Sequence, residues 1–144
     1  MAGATNPFSG LSQLPVEIQT RLAEMLEGET TQELNAKDAC LLATTAPIVL
    51  IGLQTIDSVA CAEGARILVK NQADAKENGI YIASSGDWYR APDADADGKL
   101  RANTFCFVSK GTTYADTGWV CTTDGPIFIG TSNIAFAQYT GGMG

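Results

Sequence analysis

Three aspartates at alternate positions form the segment of this chain with the clearest chemical pattern. Asp93, Asp95 and Asp97 are followed by Gly98, which reproduces the first half of a calcium-binding loop. Clustered carboxylate oxygens are the ligands that hard cations require, and glycine permits the sharp turn. The twelfth position, where such a loop needs a bidentate Glu, is Thr104. The sequence therefore favours a solvated acidic turn, with a calcium site formed by the three aspartates as the alternative.

Groups suited to catalysis are scarce. The chain contains no histidine, so it lacks the most common general base and the usual partner of a nucleophilic serine or cysteine. It also lacks a Ser-x-x-Lys segment and a phosphate-binding Gly-x-x-x-x-Gly-Lys loop. Asp116 and Asp124 could pair for glycoside hydrolysis, but both occur in turn sequences, where aspartate caps backbone N–H groups. We therefore expect neither an enzymatic activity nor a cofactor.

The four cysteines are widely spaced in apolar surroundings. They are Cys40, Cys61, Cys106 and Cys121, and no Cys-x-x-Cys pair occurs among them. A zinc site is therefore not expected. We expect four buried, reduced thiols, and disulfides are the alternative.

Aromatic residues are concentrated in the second half of the chain and allow two interpretations. An exposed row of rings could stack on sugars. Most of these rings, however, lie in predicted strands, where alternate side chains point inward and large rings fill the core. We therefore expect core positions for most of the set, which comprises Tyr81, Trp88, Tyr89, Phe105, Phe107 and Trp119.

The elements that would position these residues are predicted to be strands. From Cys40 onward, short runs rich in β-branched and aromatic residues alternate with turn residues at intervals of about ten, which is typical of a sandwich or barrel. Asn78-Gly79 and Asp124-Gly125 are predicted to form tight turns. The fold class is therefore mainly β. The predicted strands are residues 41–45, 48–50, 66–70, 79–83, 88–91, 104–110, 118–122 and 136–139.

An arm, a helix and a linker are predicted before the β-domain. Residues 1–10 lack periodicity, which indicates an extended arm. Residues 14–27 carry apolar side chains at helical spacing and predict one amphipathic helix, and the acidic residues 29–38 predict a linker. We therefore divide the chain into residues 1–39 and a β-domain of residues 40–144.

Length and charge exclude several classes of protein. A chain of 144 residues suits one core with an appendage. Residues 1–39 hold two basic and six acidic residues, and residues 40–144 hold seven and ten, which gives the net charge of −7. Because no basic face is available for phosphates, nucleic-acid binding is not expected. No long apolar run or leader sequence predicts a membrane segment or export.

Five short segments of the second half occur in a characteristic order. They are Gly64-Ala-Arg-Ile-Leu-Val-Lys-Asn-Gln72, Glu77-Asn-Gly-Ile-Tyr81, Trp88-Tyr-Arg-Ala-Pro-Asp-Ala-Asp95, Gly111-Thr-Thr-Tyr-Ala-Asp-Thr-Gly-Trp119 and Thr123-Asp-Gly-Pro-Ile127. These signature segments resemble a small β-domain of structural proteins of tailed bacteriophages, which is found on tail fibres and on heads. The resemblance covers about residues 43–142.

The resemblance implies a virion structural protein with a jelly-roll-like β-sandwich or barrel. Tail fibres usually attach such a domain to a long shaft, which this sequence lacks, so the layout resembles a capsid cement or decoration protein of a short-tailed phage. We therefore expect a protein made in the bacterial cytoplasm and located on the capsid exterior. Its expected partners are the major capsid protein and a second copy, with a dimer favoured. The alternative is a tail-fibre or receptor-binding module that recognises host carbohydrate or protein.

Two parts of the chain are expected to contact these partners. Open strand edges could pair with strands of the capsid. The amphipathic helix could dock on a partner, or it could pack on the β-domain instead. The candidate interface residues are Pro7, Phe8, Leu14, Ile18, Leu22 and Met25.

Overall fold

The structure, a computed structural model, describes residues 35–141 of the chain. This part is mainly β, as predicted, and its only helices are two 3-10 turns, Ala75–Glu77 and Pro92–Ala94. The predicted arm and the helix at residues 14–27 lie outside the described residues. The strands are β1 (Asn35–Ala36), β2 (Leu42–Ala43), β3 (Thr55–Ile56), β4 (Val59–Ala60), β5 (Arg66–Val69), β6 (Gly79–Ile82), β7 (Tyr89–Arg90), β8 (Thr104–Val108), β9 (Thr117–Cys121) and β10 (Phe136–Gly141).

Two four-stranded sheets and one hairpin make up the described region. The strand order is β1-β8-β9-β10 in the first sheet and β2-β5-β6-β7 in the second, and β3 pairs with β4. Residues 35–43 belong to both sheets, because β1 runs parallel to β8 and β2 runs parallel to β5. Between these two pairings Cys40 forms a bridge with Val108. One stretch of chain therefore links the two sheets.

Strand β5 is buried on both faces, which explains its continuous apolar run. Ile67 and Val69 belong to one core cluster, which also contains Trp88, whereas Leu68 belongs to another cluster with Trp119. Burial of each aliphatic side chain of this size contributes roughly 1.5–3 kcal/mol to folding. The second sheet therefore has a core on each side.

Seven of the eight predicted strands overlap an observed strand, and the differences have local causes. Residues 48–50 form no regular strand, and the pair Asn78-Gly79 forms no hairpin turn: it ends a 3-10 turn and starts β6. The predicted linker contains β1, and one compact unit extends from Asn35 onward. No helix within residues 35–141 is long and apolar enough to cross a membrane.

The β3–β4 hairpin escaped prediction because its turn contains no glycine. Asp57 and Ser58 both have positive φ, at 48° and 72°. A long-range contact holds this conformation: the Asp57 carboxylate accepts hydrogen bonds from the backbone N–H groups of Thr113 (3.0 Å) and Tyr114 (2.9 Å). Tertiary contacts thus stabilise a turn that local sequence preference does not favour.

Candidate protein interface

The signature segments are joined to one another by side-chain contacts. Arg90 donates from Nη1 to the Asn78 carbonyl (2.9 Å) and from Nη2 to the Lys76 carbonyl (2.8 Å), and its guanidinium lies 5.0 Å from the centre of the Tyr81 ring. Gly79 leaves room for this guanidinium, because a β-carbon there would collide with Nη1 of Arg90. These contacts join the second and third signature segments.

Asn78 is a buried connector rather than a turn residue. Its side chain is 4% exposed, accepts from the Gln72 N–H (3.0 Å) and donates to the Ile134 carbonyl (2.8 Å). One amide therefore satisfies a backbone N–H six residues away and a backbone carbonyl 56 residues away. Burial of such a group is favourable only when its hydrogen bonds are made, as they are here.

Lys70 connects the first signature segment with the fourth. Its ammonium lies 4.1 Å from the centre of the Tyr114 ring and 4.5 Å from that of Trp119, and it donates to Oδ1 of Asn71 (3.0 Å). Burial lowers the pKa of Lys70 to about 8, although the nearby Asp57 carboxylate acts in the opposite direction. Contacts between a cation and a ring face contribute roughly 0.5–2 kcal/mol to stability. This cluster therefore stabilises the packing of the end of β5 against β9 and the loop before it.

The three aspartates of the calcium-like segment have separate protein partners. Asp93 forms a bidentate ion pair with Arg66, at 3.0 and 2.9 Å. Asp95 pairs with Lys99 (2.8 Å), and Asp97 accepts from the Ile129 N–H (2.8 Å).

No cluster of three or more His, Cys, Asp or Glu side chains that could hold a metal occurs among residues 35–141. Burial alone would raise the pKa of Asp93, but the hydrogen bonds and charge of Arg66 outweigh it, so this pKa lies below its usual value. Arg66 thereby keeps the Asp93 carboxylate ionised and occupied.

The buried polar side chains of the described region are paired within the protein. Within residues 35–141 no buried side-chain nitrogen or oxygen lacks a hydrogen-bond partner. Asp116 and Asp124 are exposed, and Asp116 has a positive φ of 62°, which fits the predicted turn. All four cysteines are buried, as predicted.

The predicted core role is confirmed for four of the six aromatic residues, and Phe107 is partly exposed. Trp88 and Trp119 are each 6% exposed, and Tyr81 and Phe105 are also buried. Tyr89, in contrast, is 56% exposed on β7. The signature segments therefore contribute mainly to the interior, and Tyr89 is the most exposed ring of the predicted set.

An apolar ridge on the second sheet is the strongest candidate for an interface. Residues 48–54, here called the edge segment, lie beside β7, where Ile51 forms a bridge with Asp87. The Gly52 N–H donates to the Gly86 carbonyl and the Trp88 N–H donates to the Leu50 carbonyl, each at 2.9 Å. Extended by two residues, this antiparallel register places Val49 across from Tyr89.

Partly buried and exposed side chains alternate from Ile48 to Ile51, and the chain bends at Gly52, which has a φ of 83°. Ile48 and Leu50 pack against the core, whereas the side chains between and beyond them point to solvent. The apolar ridge is defined as Val49 (68% exposed), Ile51 (54%), Leu53 (48%) and Tyr89 (56%). Among residues 35–141, the remaining exposed large hydrophobic residue is Phe128.

Two glutamine side chains hold the ridge in place. Gln72 exchanges two hydrogen bonds with the backbone of Ile48, at 2.8 and 3.0 Å, in the manner of a neighbouring strand. Gln54 donates from Nε2 to the carbonyls of Val49 (2.7 Å) and Ile51 (3.2 Å). Because Gln54 occupies these two carbonyls, this edge is less available for strand addition than an open edge is.

Sequence patterns revealed the ridge only in part. Residues 48–50 read as a strand, but a run of consecutive apolar residues does not tell which side chains face solvent. One feature of the sequence does indicate an uncharged surface: residues 39–56 contain no charged residue, although the chain has a net charge of −7. The interface candidates predicted from the N-terminal region, Pro7, Phe8, Leu14, Ile18, Leu22 and Met25, lie outside the described residues.

No protein-family model matches this chain, and no match was found among curated proteins or among solved structures. The candidate interface is therefore defined by its own residues and contacts.

Proposed function

We propose that this protein is a virion structural protein of a tailed bacteriophage that binds the outside of the capsid and cements or decorates the lattice of the major capsid protein. The observation that carries the proposal is the apolar ridge, which hydrogen bonds from Gln54 and Gln72 hold on a domain whose signature side chains mostly pack in its interior. A preorganised apolar surface suits adhesion to protein, because little conformational entropy is lost when it is covered.

The resemblance of the signature segments to phage virion domains supplies the biological context. In this proposal the signature builds a stable scaffold, and surfaces outside it distinguish one virion protein from another. Residues 1–39, which are rich in acidic side chains, would contact the capsid through the candidate interface residues Pro7, Phe8, Leu14, Ile18, Leu22 and Met25. Repetition on a symmetric shell would then let modest contacts reinforce one another through high effective concentration.

We also propose that the two sheets are the layers of a jelly-roll-like sandwich. A layered arrangement is supported by the two four-stranded sheets and by residues 35–43, which pair with both of them. The parallel pairs β1–β8 and β2–β5 depart from the antiparallel pattern of that fold. An experimental structure of the complete chain tests this assignment.

Copy number in purified particles tests the capsid role directly. A capsid cement protein should be present at hundreds of copies per particle, in a simple ratio to the major capsid protein. Particles lacking it should lose integrity at lower temperature and lower internal pressure than complete particles. A handful of copies located at the tail, or unchanged resistance of deficient heads, would contradict the proposal.

A second function is favoured by the exposure of Tyr89. An exposed ring beside an apolar surface can stack on a sugar, as a receptor-binding module of a tail would require. Binding of the protein to host-surface polysaccharide, lost in Tyr89→Ala but retained in Phe128→Ala, would support this alternative. Absence of binding by the wild-type protein would leave the capsid role as the better account.

A further inference from the structure

We propose that the apolar ridge packs face to face against the same ridge of a second copy, so that two β-domains join about a twofold axis. The inference rests on the proposed function only for the location of the dimer on a shell, since the contact itself belongs to the free protein. It names the partner that covers the ridge, and residues 1–39 are left to contact the capsid.

Charge favours a second copy as the occupant. The chain has a net charge of −7, so most contacts between two copies would bring acidic groups together. Residues 39–56 carry no charge, and three of the four ridge residues come from this run. A basic partner would gain no ion pair from this uncharged run, whereas a second acidic copy meets little repulsion there.

One acidic residue lies at the margin of the ridge. Asp87 is exposed and lies across from Ile51, so its side chain is on the same side of the sheet. In a dimer, one such carboxylate from each copy would approach the contact and oppose it weakly. Added salt should therefore strengthen the association, because it screens this repulsion and favours burial of apolar surface.

The hydrogen bonds of the edge segment indicate how two copies make contact. Since Gln54 already donates to the outward carbonyls of Val49 and Ile51, pairing of two edge segments by backbone hydrogen bonds would first have to displace it. Face-to-face packing leaves both hydrogen bonds in place and buries the alternating side chains. A twofold axis near Ile51, which lies between Val49 and Leu53 in the sequence, would bring the two copies of Ile51 together at the centre of the contact.

The exposed area of the apolar ridge determines the affinity that we expect for the dimer. Four side chains at these exposures offer on the order of 400 Å² of apolar surface per copy. A dimer would bury about twice that area, which is below the roughly 1,200 Å² of stable interfaces. We therefore expect a dissociation constant of tens to hundreds of micromolar in solution, and avidity on a shell.

Analytical ultracentrifugation of the full chain over a wide concentration range tests the inference. We expect a reversible monomer–dimer equilibrium for the wild type. Ile51→Glu should weaken it at least tenfold, and Asp87→Asn should strengthen it. The matched control is Phe128→Glu, which places the same charge on another exposed apolar residue, 48% accessible, and should leave the equilibrium unchanged. Circular dichroism and thermal unfolding would verify that Ile51→Glu remains folded.

Three results would overturn the inference: a wild type that stays monomeric at the highest concentration, a dimer that Ile51→Glu leaves intact, or equal effects of Ile51→Glu and Phe128→Glu. Co-sedimentation with capsids lacking the protein separates this outcome from the proposed function. Capsid binding by a strictly monomeric protein would refute the dimer alone. A ridge-dependent dimer without affinity for capsids would refute the capsid role alone.

Discussion

At the scale of residues, the signature segments contribute contacts inside the domain. Asn78, Arg90 and Arg66 each satisfy partners far away in sequence, and Lys70 lies against two aromatic rings. These residue types also occur at active sites, where they would face a ligand. Here their partners belong to the same chain, which is why their chemistry contributes to stability.

Gly79→Ala should destabilise the protein by about 1–3 kcal/mol, because a β-carbon there is strained and would displace the Arg90 guanidinium from its hydrogen bonds. Gly79 has φ of 152°, whereas Gly86 has ordinary φ and open space around it. Gly86→Ala is therefore the control and should be neutral or slightly stabilising. Chemical denaturation of both variants measures the difference, and equal stabilities would refute the role assigned to Gly79.

Lys70 should make stability depend on pH in the alkaline range. Its pKa is about 8 in the folded protein and about 10.5 in the unfolded chain, so the unfolded chain binds more protons between these values. The free energy of unfolding should therefore rise between pH 8 and about 10.5. Below pH 8 the titration of Lys70 should not change it.

Denaturation of the wild type and of Lys70→Met across this range isolates the effect. The comparison is necessary because burial raises the pKa of the Cys61 and Cys121 thiols, which produces the opposite trend. The difference between the two proteins should grow in favour of the wild type from pH 8 to about 10.5. The exposed Lys110 provides the control, since Lys110→Met should follow the wild type. A constant difference would contradict the assignment.

At the scale of elements, side-chain amides supply backbone hydrogen bonds that the short strands do not make. The edge segment makes one bridge to its neighbour, and Gln54 and Gln72 supply further hydrogen bonds to its backbone. This arrangement keeps apolar side chains exposed in a fixed row while it occupies the outward carbonyls. An interface and a protected edge therefore share one segment.

Gln54→Ala should free the carbonyls of Val49 and Ile51 and expose a strand edge. We expect a loss of about 1 kcal/mol in stability and a greater tendency to aggregate through strand pairing. Light scattering of the wild type and of Gln54→Ala during prolonged incubation measures the tendency. Unchanged solubility of Gln54→Ala would show that this amide does not protect the edge.

At the scale of the whole molecule, the described region is one unit in which distant segments depend on one another. The stretch from β1 to β2 pairs with β8 and then with β5, and the β3–β4 turn is held by the loop before β9. Removal of one such contact should therefore weaken several elements together. Cooperative unfolding is the expected consequence.

The four cysteines report on this cooperativity. Because all four are buried, an aromatic disulfide reagent should label the native protein only as fast as it unfolds. Four thiols should react promptly in denaturant. Rapid labelling of a single thiol in native buffer would indicate local opening, and fewer than four free thiols in denaturant would indicate disulfides. Mass spectrometry of the labelled protein distinguishes these results.

The sequence by itself determined the mainly β class, seven strand positions and the burial of both tryptophans. It could do so because these features follow from local apolar patterns and turn preferences. Only the tertiary structure decided that Asn78 is a connector, that Asp57 closes a hairpin, that Asp93 pairs with Arg66 and that Val49, Ile51, Leu53 and Tyr89 form one surface. Each of these depends on contacts between residues far apart in the chain, and single-chain patterns contain no record of which distant partner a side chain meets.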